Sequence, residues 1–435
     1  MLDTLINTFE DARDYILSIP KFTSKNSITD TKIFYDILGK PGEKSKIIHV
    51  AGTNGKGSVC SYLNGVLLES GNTTGIFTSP HLQSICERIR FGNCIISKEE
   101  FLEAFFIIKD ALKLLKENYH PTFFEWLFFM AMVLFEKNPV DYIILETGLG
   151  GRLDATNVIE KCEINIITKI SFDHMEYLGD TLEQIALEKA GIIKKDIPVV
   201  YMQTDKRISK VIEDTAKDNG ASCYSVRKED ISLTKINKKT IDFSVKSRYY
   251  DYISLSISTI ALYQMENAAL ALLAITVMDK NKKITQEQRK AGIKKAKWEG
   301  RMEEISPTVF VDGAHNVDGI EAFIQTVSSK KDGNKNHLLF SVVNDKQYGK
   351  MIDLLTKSNL FIDITITTIS GNRQVPISSL EGIFCKDSRQ VVYSYEDTRK
   401  AYEFCLSNKG EEDRLYIVGS LYLVGLIKSF VEEEK

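Results

Sequence analysis

A lysine and a serine stand two positions apart in Gly52-Thr53-Asn54-Gly55-Lys56-Gly57-Ser58, directly after the apolar run Ile47 to Val50 and directly before a helical pattern. Glycines at a strand-to-helix turn let backbone N–H groups face inward around phosphate oxygens, and the helix dipole adds positive potential. In that setting Lys56 can reach the terminal phosphates of a nucleotide and Ser58 can ligate Mg²⁺. The spacing departs from the general phosphate loop, because Val50 stands where its first glycine belongs and Gly57 separates the lysine from the serine. On this segment alone, a glycine-rich turn with a surface lysine stays open.

Glu146 closes a second apolar run, DYIILE, and leads into the glycine-rich stretch Thr147 to Asn157. In open α/β sheets ligands bind beyond the C-terminal ends of the strands. A carboxylate emerging there is placed to hold the metal of Mg-ATP, directly or through water; a solvated strand-end carboxylate is the other reading. A third run, INIIT, leads to Ser171-Phe172-Asp173-His174, and the following helical stretch carries Glu188 and Lys189. A histidine after a strand is by default a satisfied polar residue, and its place on the same sheet edge as Glu146 and Ser58 turns the reading toward metal or phosphate contact. Spacing alone makes Lys189 a solvated helix lysine. Further on, Asp312-Gly313-Ala314-His315-Asn316 follows TVFV, and Val418-Gly419-Ser420 follows RLYI; by spacing these are strand-to-helix turns with Asn316 and Ser420 as caps. His49, His120 and His337 lack a partner pattern and read as structural.

These residues need a scaffold of strands whose ends converge. Ile47 to Val50, Thr74 to Phe77, Tyr142 to Leu145, Ile164 to Thr168 and Val199 to Met202 are short β-branched runs alternating with helical patterns, the signature of a parallel sheet. Ser225 to Ile257 turns alternating and lysine-rich, which predicts an antiparallel hairpin appended to that sheet. Helical patterns follow at Leu262 to Met278 and Gln286 to Lys297. Strand-helix alternation then restarts at Thr308 to Val311, with Leu338 to Val342, Ile362 to Thr367, Val391 to Tyr393 and Leu415 to Val418. The expected fold class is therefore α/β: a mostly parallel phosphate-loop sheet domain with a small antiparallel β appendage, over 1–297, and a smaller C-terminal Rossmann-like α/β domain, over 298–435.

Composition narrows the function classes. A chain of 435 residues exceeds a single small module. Its 56 basic and 59 acidic side chains give a net charge of −3, which provides no general attraction to nucleic acid or anionic membrane. The first twenty residues mix Asp, Glu and Arg into an amphipathic pattern rather than a secretory signal. The most apolar stretch, Trp126 to Phe135, is too short to span a bilayer and reads as a buried helix. The seven cysteines are scattered and contain no CxxC pair, which suits reduced thiols in a cytoplasm.

Several segments, in this order, resemble the folylpolyglutamate synthase family and its bifunctional dihydrofolate synthase/folylpolyglutamate synthase members, within the Mur ligase superfamily. They are DYILSIPKF (14–22), HVAGTNGKGSV (49–59) with its extra glycine, TSPHLQSICERIR (78–90), PTFFEWLFFMA (121–131) and ETGLGGRLDATN (146–157). ITKISFDHMEYLGDTLEQIALEKAGIIK (167–194), MENAALAL (265–272), WEGRMEEI (298–305), DGAHN (312–316) and VGSLYLVG (418–425) complete the set. Departures are Gly39-Lys40-Pro41-Gly42, where the family commonly reads GNPQ, which bears on pterin-side contacts, and Glu299 in place of a proline before Gly300-Arg301.

The resemblance implies an ATP-dependent ligase that adds L-glutamate to the γ-carboxyl of a folate through an acyl phosphate. It assigns Gly52 to Ser58, with Asn267, Arg301 and Asp312, to the nucleotide, and Lys56 to the transferring phosphoryl group. Ser58 and Glu146 bind a first Mg²⁺. His174 and Lys189 serve a second, the lysine usually being carbamylated. Ser79, Pro80 and His81 lie on the folate side, and His315 and Ser420 where the incoming glutamate is expected. It further implies a cytoplasmic monomer acting on small molecules, without nucleic acid or membrane. Use of dihydropteroate as an acceptor and dependence on K⁺ stay open. So do two other functions, a Mur-type ligase for another carboxylate and a nucleotide-driven switch that ignores both glutamate and folate.

Overall fold

The computed structural model describes residues 6–20, 26–115, 119–330, 333–369, 371, 373–387 and 390–433; Lys21 and Phe22, at the end of the amino-terminal motif, lie outside them. The first sheet comprises β1 (Lys46–Ala51), β2 (Thr74–Phe77), β3 (Ile89–Phe91), β4 (Cys94–Ile95), β5 (Tyr142–Glu146), β6 (Ile164–Ile167), β7 (Val199–Gln203) and β8 (Cys223–Arg227), in the order β4-β3-β2-β5-β1-β6-β7-β8. Six strands, β2 to β8 across the sheet, run parallel, and β3 and β4 extend the edge antiparallel. The central parallel strands are mostly apolar, with His49 of β1 and Asn165 of β6 as buried polar exceptions, because helices cover both faces.

On one face lies the helix Phe123–Lys137, buried nearly all round and closed at its start by the reciprocal Thr122 and Glu125 capping bonds. It is the buried helix that the run Trp126 to Phe135 predicts, and among the described residues no helix is long and apolar enough to cross a membrane. On the other face the helices Lys56–Glu69 and Gln264–Met278 pack against Ile48, Val50 and Ile144.

The lysine-rich segment differs from expectation. Ser225 belongs to β8, a parallel crossover strand of the main sheet, because the helix Lys206–Asp218 returns the chain to pair Val199 with Cys223. The appendage is a separate three-stranded antiparallel sheet of β9 (Ile231–Ile236), β10 (Ile241–Ser247) and β11 (Tyr250–Ile257). Ile241, Phe243 and Val245 of its central strand bury against the same core as the phosphate-loop helix, and the lysines face outward.

The third sheet contains β12 (Glu303–Ser306), β13 (Val309–Val311), β14 (Asn336–Phe340), β15 (Asp363–Thr367), β16 (Val391–Tyr395) and β17 (Arg414–Val418), ordered β12-β13-β17-β14-β15-β16. Only β12 is antiparallel. Its sequence, EEIS, has too little apolar content to announce a strand and is held by pairing with β13. The two large sheets present their C-terminal strand ends to one another, which brings the loops after β1, β2, β5 and β6 against those after β13, β14 and β17.

Candidate active site

The loop from Gly52 to Ser58 leaves β1 at the middle of the first sheet. Gly55 caps the helix Lys56–Glu69 in the left-handed region at φ +93°, and a Cβ there would lie 2.2 Å from Asn267 Oδ1. A Cβ on Gly57 would meet the Trp298 ring at 2.5 Å. The extra glycine of this loop is therefore a packing requirement: it admits an indole from the segment that connects the two sheets. Lys56 Nζ donates to the Gly52 and Thr53 carbonyls at 3.2 and 3.3 Å and stands 3.9 Å from Glu146 Oε1. The Ser58 hydroxyl accepts from Gln264 Nε2 at 3.0 Å, and Gln264 Oε1 accepts from Asn267 at 2.9 Å.

Glu146 is buried and accepts the Ser79 backbone N–H at 3.1 Å. Burial raises its pKa to about 6, against the opposing pull of Lys56, that N–H, Arg301 and Arg88. Lys189 is buried as well and donates to the Gly52 carbonyl at 2.9 Å. Burial, reinforced by Lys56, lowers its pKa to about 7, so near neutral pH much of it is an uncharged amine. The sequence held a trace of this: Ile185, Ala186 and Ala190 form the buried stripe of that helix, and Lys189 falls on it.

His174 adopts φ +49° ahead of a short helix, and burial lowers its pKa to about 4. Its neighbour Asp173 is a hub. Asp173 Oδ1 accepts from Lys346 Nζ at 2.6 Å, and Oδ2 from Asn316 Nδ2 at 3.1 Å, with His315 Nε2 at 3.6 Å. Burial would raise its pKa, but the His315 bond and the charges of Lys346, His315 and His174 hold it well below the ordinary carboxylate range. Asn316 caps the helix Val317–Ser328, as its spacing predicts. It also exchanges hydrogen bonds with Asn54 of the phosphate loop at 3.1 and 3.0 Å, and Asn54 donates to Asp318 at 2.8 Å.

Two adjoining cavities result. One, of about 490 Å³, is lined by every residue from Gly52 to Ser58 together with Glu146, His174, Lys189, Asn267, Arg301 and Asp312. Asp312 is already engaged, accepting from Tyr263, Met302 and Ala314 at 2.6, 3.0 and 2.8 Å, so it orders the turn that carries Gly313 and His315. The other cavity, of about 690 Å³, runs from Phe123 and Phe124 past Leu153 and Ala155 to Lys346, Arg373, Ser420 and Tyr422. Ser79, Pro80, Gly148, His174 and His315 line both. A long, partly aromatic molecule in the larger cavity would thus meet the terminal phosphate of a nucleotide in the smaller one at these shared residues.

His81, expected on the folate side, lines neither cavity; its Nδ1 accepts from Arg88 Nε at 2.9 Å, and Arg88 lines the larger one. Gly39 to Gly42 precede β1, at the opposite end of that strand from the phosphate loop, and line neither cavity, so the departure there touches no substrate wall. Glu299 pairs with Lys428 at 2.6 Å. Asp173, Lys346 and Arg373 complete the site without a sequence signal of their own, although Lys346 follows β14 as His315 follows β13, a placement that could have marked it.

The family model described as Mur ligase middle domain matches residues 50–275, and that described as Mur ligase, glutamate ligase domain, matches 300–421. A Bacillus subtilis dihydrofolate synthase/folylpolyglutamate synthase is 34% identical over 98% of this chain and 99% of its own. The Mycobacterium tuberculosis folylpolyglutamate synthase complexed with ADP superposes with a TM-score of 0.89 at 27% identity, covering 97% of this chain and 98% of that one. E. coli FolC in complex with DHPP and ADP superposes at 0.86 over 98% of both chains; at 24% identity it speaks for the fold alone.

Proposed function

Because the chain belongs to the dihydrofolate synthase/folylpolyglutamate synthase family of Mur ligases, we propose that it joins L-glutamate to a folate carboxylate with ATP, in the two cavities described. The observation that carries this reading is their common wall at Ser79, His174 and His315. A nucleotide-driven switch needs no second cavity opening onto the phosphate end of the first.

A carboxylate is a poor electrophile. In the proposed first step its oxygen bonds to the γ-phosphorus of ATP as the bond to the ADP oxygen breaks. In the second, the glutamate amine attacks the acyl carbon, phosphate leaves with the C–O pair, and the amine gives up its proton. Lys56 neutralises charge on the transferring phosphoryl group. Gly52 to Gly57, Asn267 and Arg301 hold the nucleotide, and Asp312 orders the adjoining turn. Ser79 and Pro80 border the acceptor, and His315 and Ser420 hold the incoming glutamate. The two halves, divided near Lys297, close over the acyl phosphate and exclude water.

Ser58 and Glu146 suit a first Mg²⁺: a buried carboxylate beside a hydroxyl, with the nucleotide's own oxygens, is how this ion is ordinarily held. Among the described residues no three His, Cys, Asp or Glu side chains form a metal cage. His174 would serve a second Mg²⁺ with Lys189 once the lysine amine has added CO₂ and lost a proton to become a carbamate; the low pKa and burial of Lys189 favour that reaction. When bound, these ions would supply charge neutralisation at the phosphates. The chain acts on small molecules as a cytoplasmic monomer, with dihydropteroate as a second acceptor and K⁺ as an accessory cation to be tested.

ADP release with Mg-ATP and L-glutamate tests the reading, comparing tetrahydrofolate, dihydropteroate and no acceptor, with and without K⁺. Turnover requiring both glutamate and a folate acceptor is expected. Release indifferent to both would overturn it.

A further inference from the structure

Four cationic side chains of the Arg and Lys type line the larger cavity, and three have a carboxylate partner: Lys346 with Asp173 at 2.6 Å, Arg373 with Asp345 at 3.4 Å and Arg152 with Glu188 at 2.7 Å. Arg88 is different. Only 5% of it is exposed, and among the described residues no carboxylate lies within ion-pair distance of it. Its Nε donates to His81 Nδ1 at 2.9 Å, and its guanidinium lies over the Phe123 ring at 5.1 Å. Neither contact neutralises the charge. Burial lowers its pKa to about 10, so it stays protonated at neutral pH. The carboxylates of Glu146 and Glu87 act on it from beyond ion-pair distance. A buried cation with no anion paired to it is costly, and such groups persist where a ligand completes them.

The position of Arg88 says which ligand. The Thr78 N–H donates to the Arg88 carbonyl at 2.9 Å, which sets Arg88 beside Ser79, and the Ser79 N–H in turn bonds Glu146. Arg88 therefore stands where the larger cavity reaches the phosphate end of the smaller one. With Nε committed to His81, the two terminal amino groups remain, in the planar fork that matches a carboxylate.

We propose that Arg88 binds the acceptor carboxylate that becomes phosphorylated, and that His81 is the positioning residue that turns the guanidinium toward it. The proposal rests on the ligase reading above and deepens it. By accepting from Nε through Nδ1, His81 is held as the tautomer carrying its proton on Nε2. Bidentate binding orients one carboxylate oxygen for attack on the γ-phosphorus. Arg88 leaves that oxygen's electron pair free to form the new bond.

Steady-state kinetics on the full chain with tetrahydrofolate separate the possibilities, with thermal melts to confirm folding. In Arg88→Lys, which keeps the charge and loses the fork, the acceptor KM is expected to rise about tenfold or more, with KM for ATP and L-glutamate within about twofold of wild type. His81→Ala is expected to raise the acceptor KM about threefold to tenfold, and His81→Gln, which retains an acceptor for Nε–H, to restore most of it. Calorimetric titration of the Mg-ADP-loaded protein with tetrahydrofolate should show the same loss without turnover. An unchanged acceptor KM and affinity in folded Arg88→Lys, or a rise in the KM for L-glutamate instead, overturns the assignment and leaves the ligase reading standing. Failure of the wild type to turn over any folate acceptor overturns both.

Discussion

Lys346, on the loop after β14, sets its ammonium 2.6 Å from the carboxylate of Asp173, on the loop after β6, and both side chains are almost wholly buried. This ion pair joins the two large sheets beside His174 and His315. Removing one partner of a buried pair strands the other charge, so Lys346→Ala should lower stability by about 3 kcal/mol, and the further change Asp173→Asn should recover part of it. A thermal-melt cycle over the four proteins checks this; additive losses would remove the pair from the account of how the halves dock.

Lys56→Ala should abolish glutamate- and acceptor-dependent ADP release. Among the described residues the side chain bonds only its own loop carbonyls, and it faces Glu146 at 3.9 Å while its charge opposes that of Lys189, so the variant should still fold, as a cooperative thermal melt will show. Substantial ligase turnover in the folded variant would sink the role given to this lysine.

Glu146→Gln separates stability from function. The buried carboxylate has its pKa raised to about 6. The folded chain therefore binds its proton more tightly than the unfolded chain, and the penalty for holding the anion is fully present above that value. At neutral pH the amide should stabilise the nucleotide-free protein by ~2 kcal/mol while abolishing turnover. In the wild type, Mg-ADP affinity should fall as pH drops below about 6, because ligation needs the anion. Calorimetric titrations at two pH values decide the second point.

Lys189 gives a stability signature of opposite form. Its amine titrates at about 7 in the fold and near 10.5 when unfolded. The folded chain therefore binds fewer protons between those values, and the cost of burying the lysine, complete below pH 7, is relieved as pH rises through that window. Melts of wild type and Lys189→Met in CO₂-free buffer should show the variant ahead at pH 7 and the gap closing toward about pH 10. A gap independent of pH would contradict the burial argument. Activity of CO₂-depleted enzyme should return on adding bicarbonate in the wild type and stay absent in Lys189→Met.

Much of this arrangement was legible in the chain. Runs such as Ile47 to Val50, interrupted only by His49, and Tyr142 to Leu145 are rich in apolar residues because both faces of their strands are covered. The rule that ligands gather beyond strand C-termini marks Glu146 and His174, whereas His315 is marked only by the family resemblance. Short polar strands escaped: Glu303–Ser306 exists because Val311 and Phe310 offer it a backbone edge. So did Asp173–Lys346 and Asn54–Asn316, whose partners lie far apart in sequence and meet only when the sheets dock. Lys189 shows the limit in a single residue. Its helix stripe was readable, but whether that stripe faces water or a phosphate loop is a tertiary fact.

Asn54 sits inside the phosphate loop and is tethered to Asn316 and Asp318 from the opposite half of the molecule. Any separation of the two halves must break these tethers, so the loop proposed to hold the nucleotide doubles as a latch between them. On the proposed reading, closure of the halves and tightening of the grip on the nucleotide are then one mechanical event viewed from two sides.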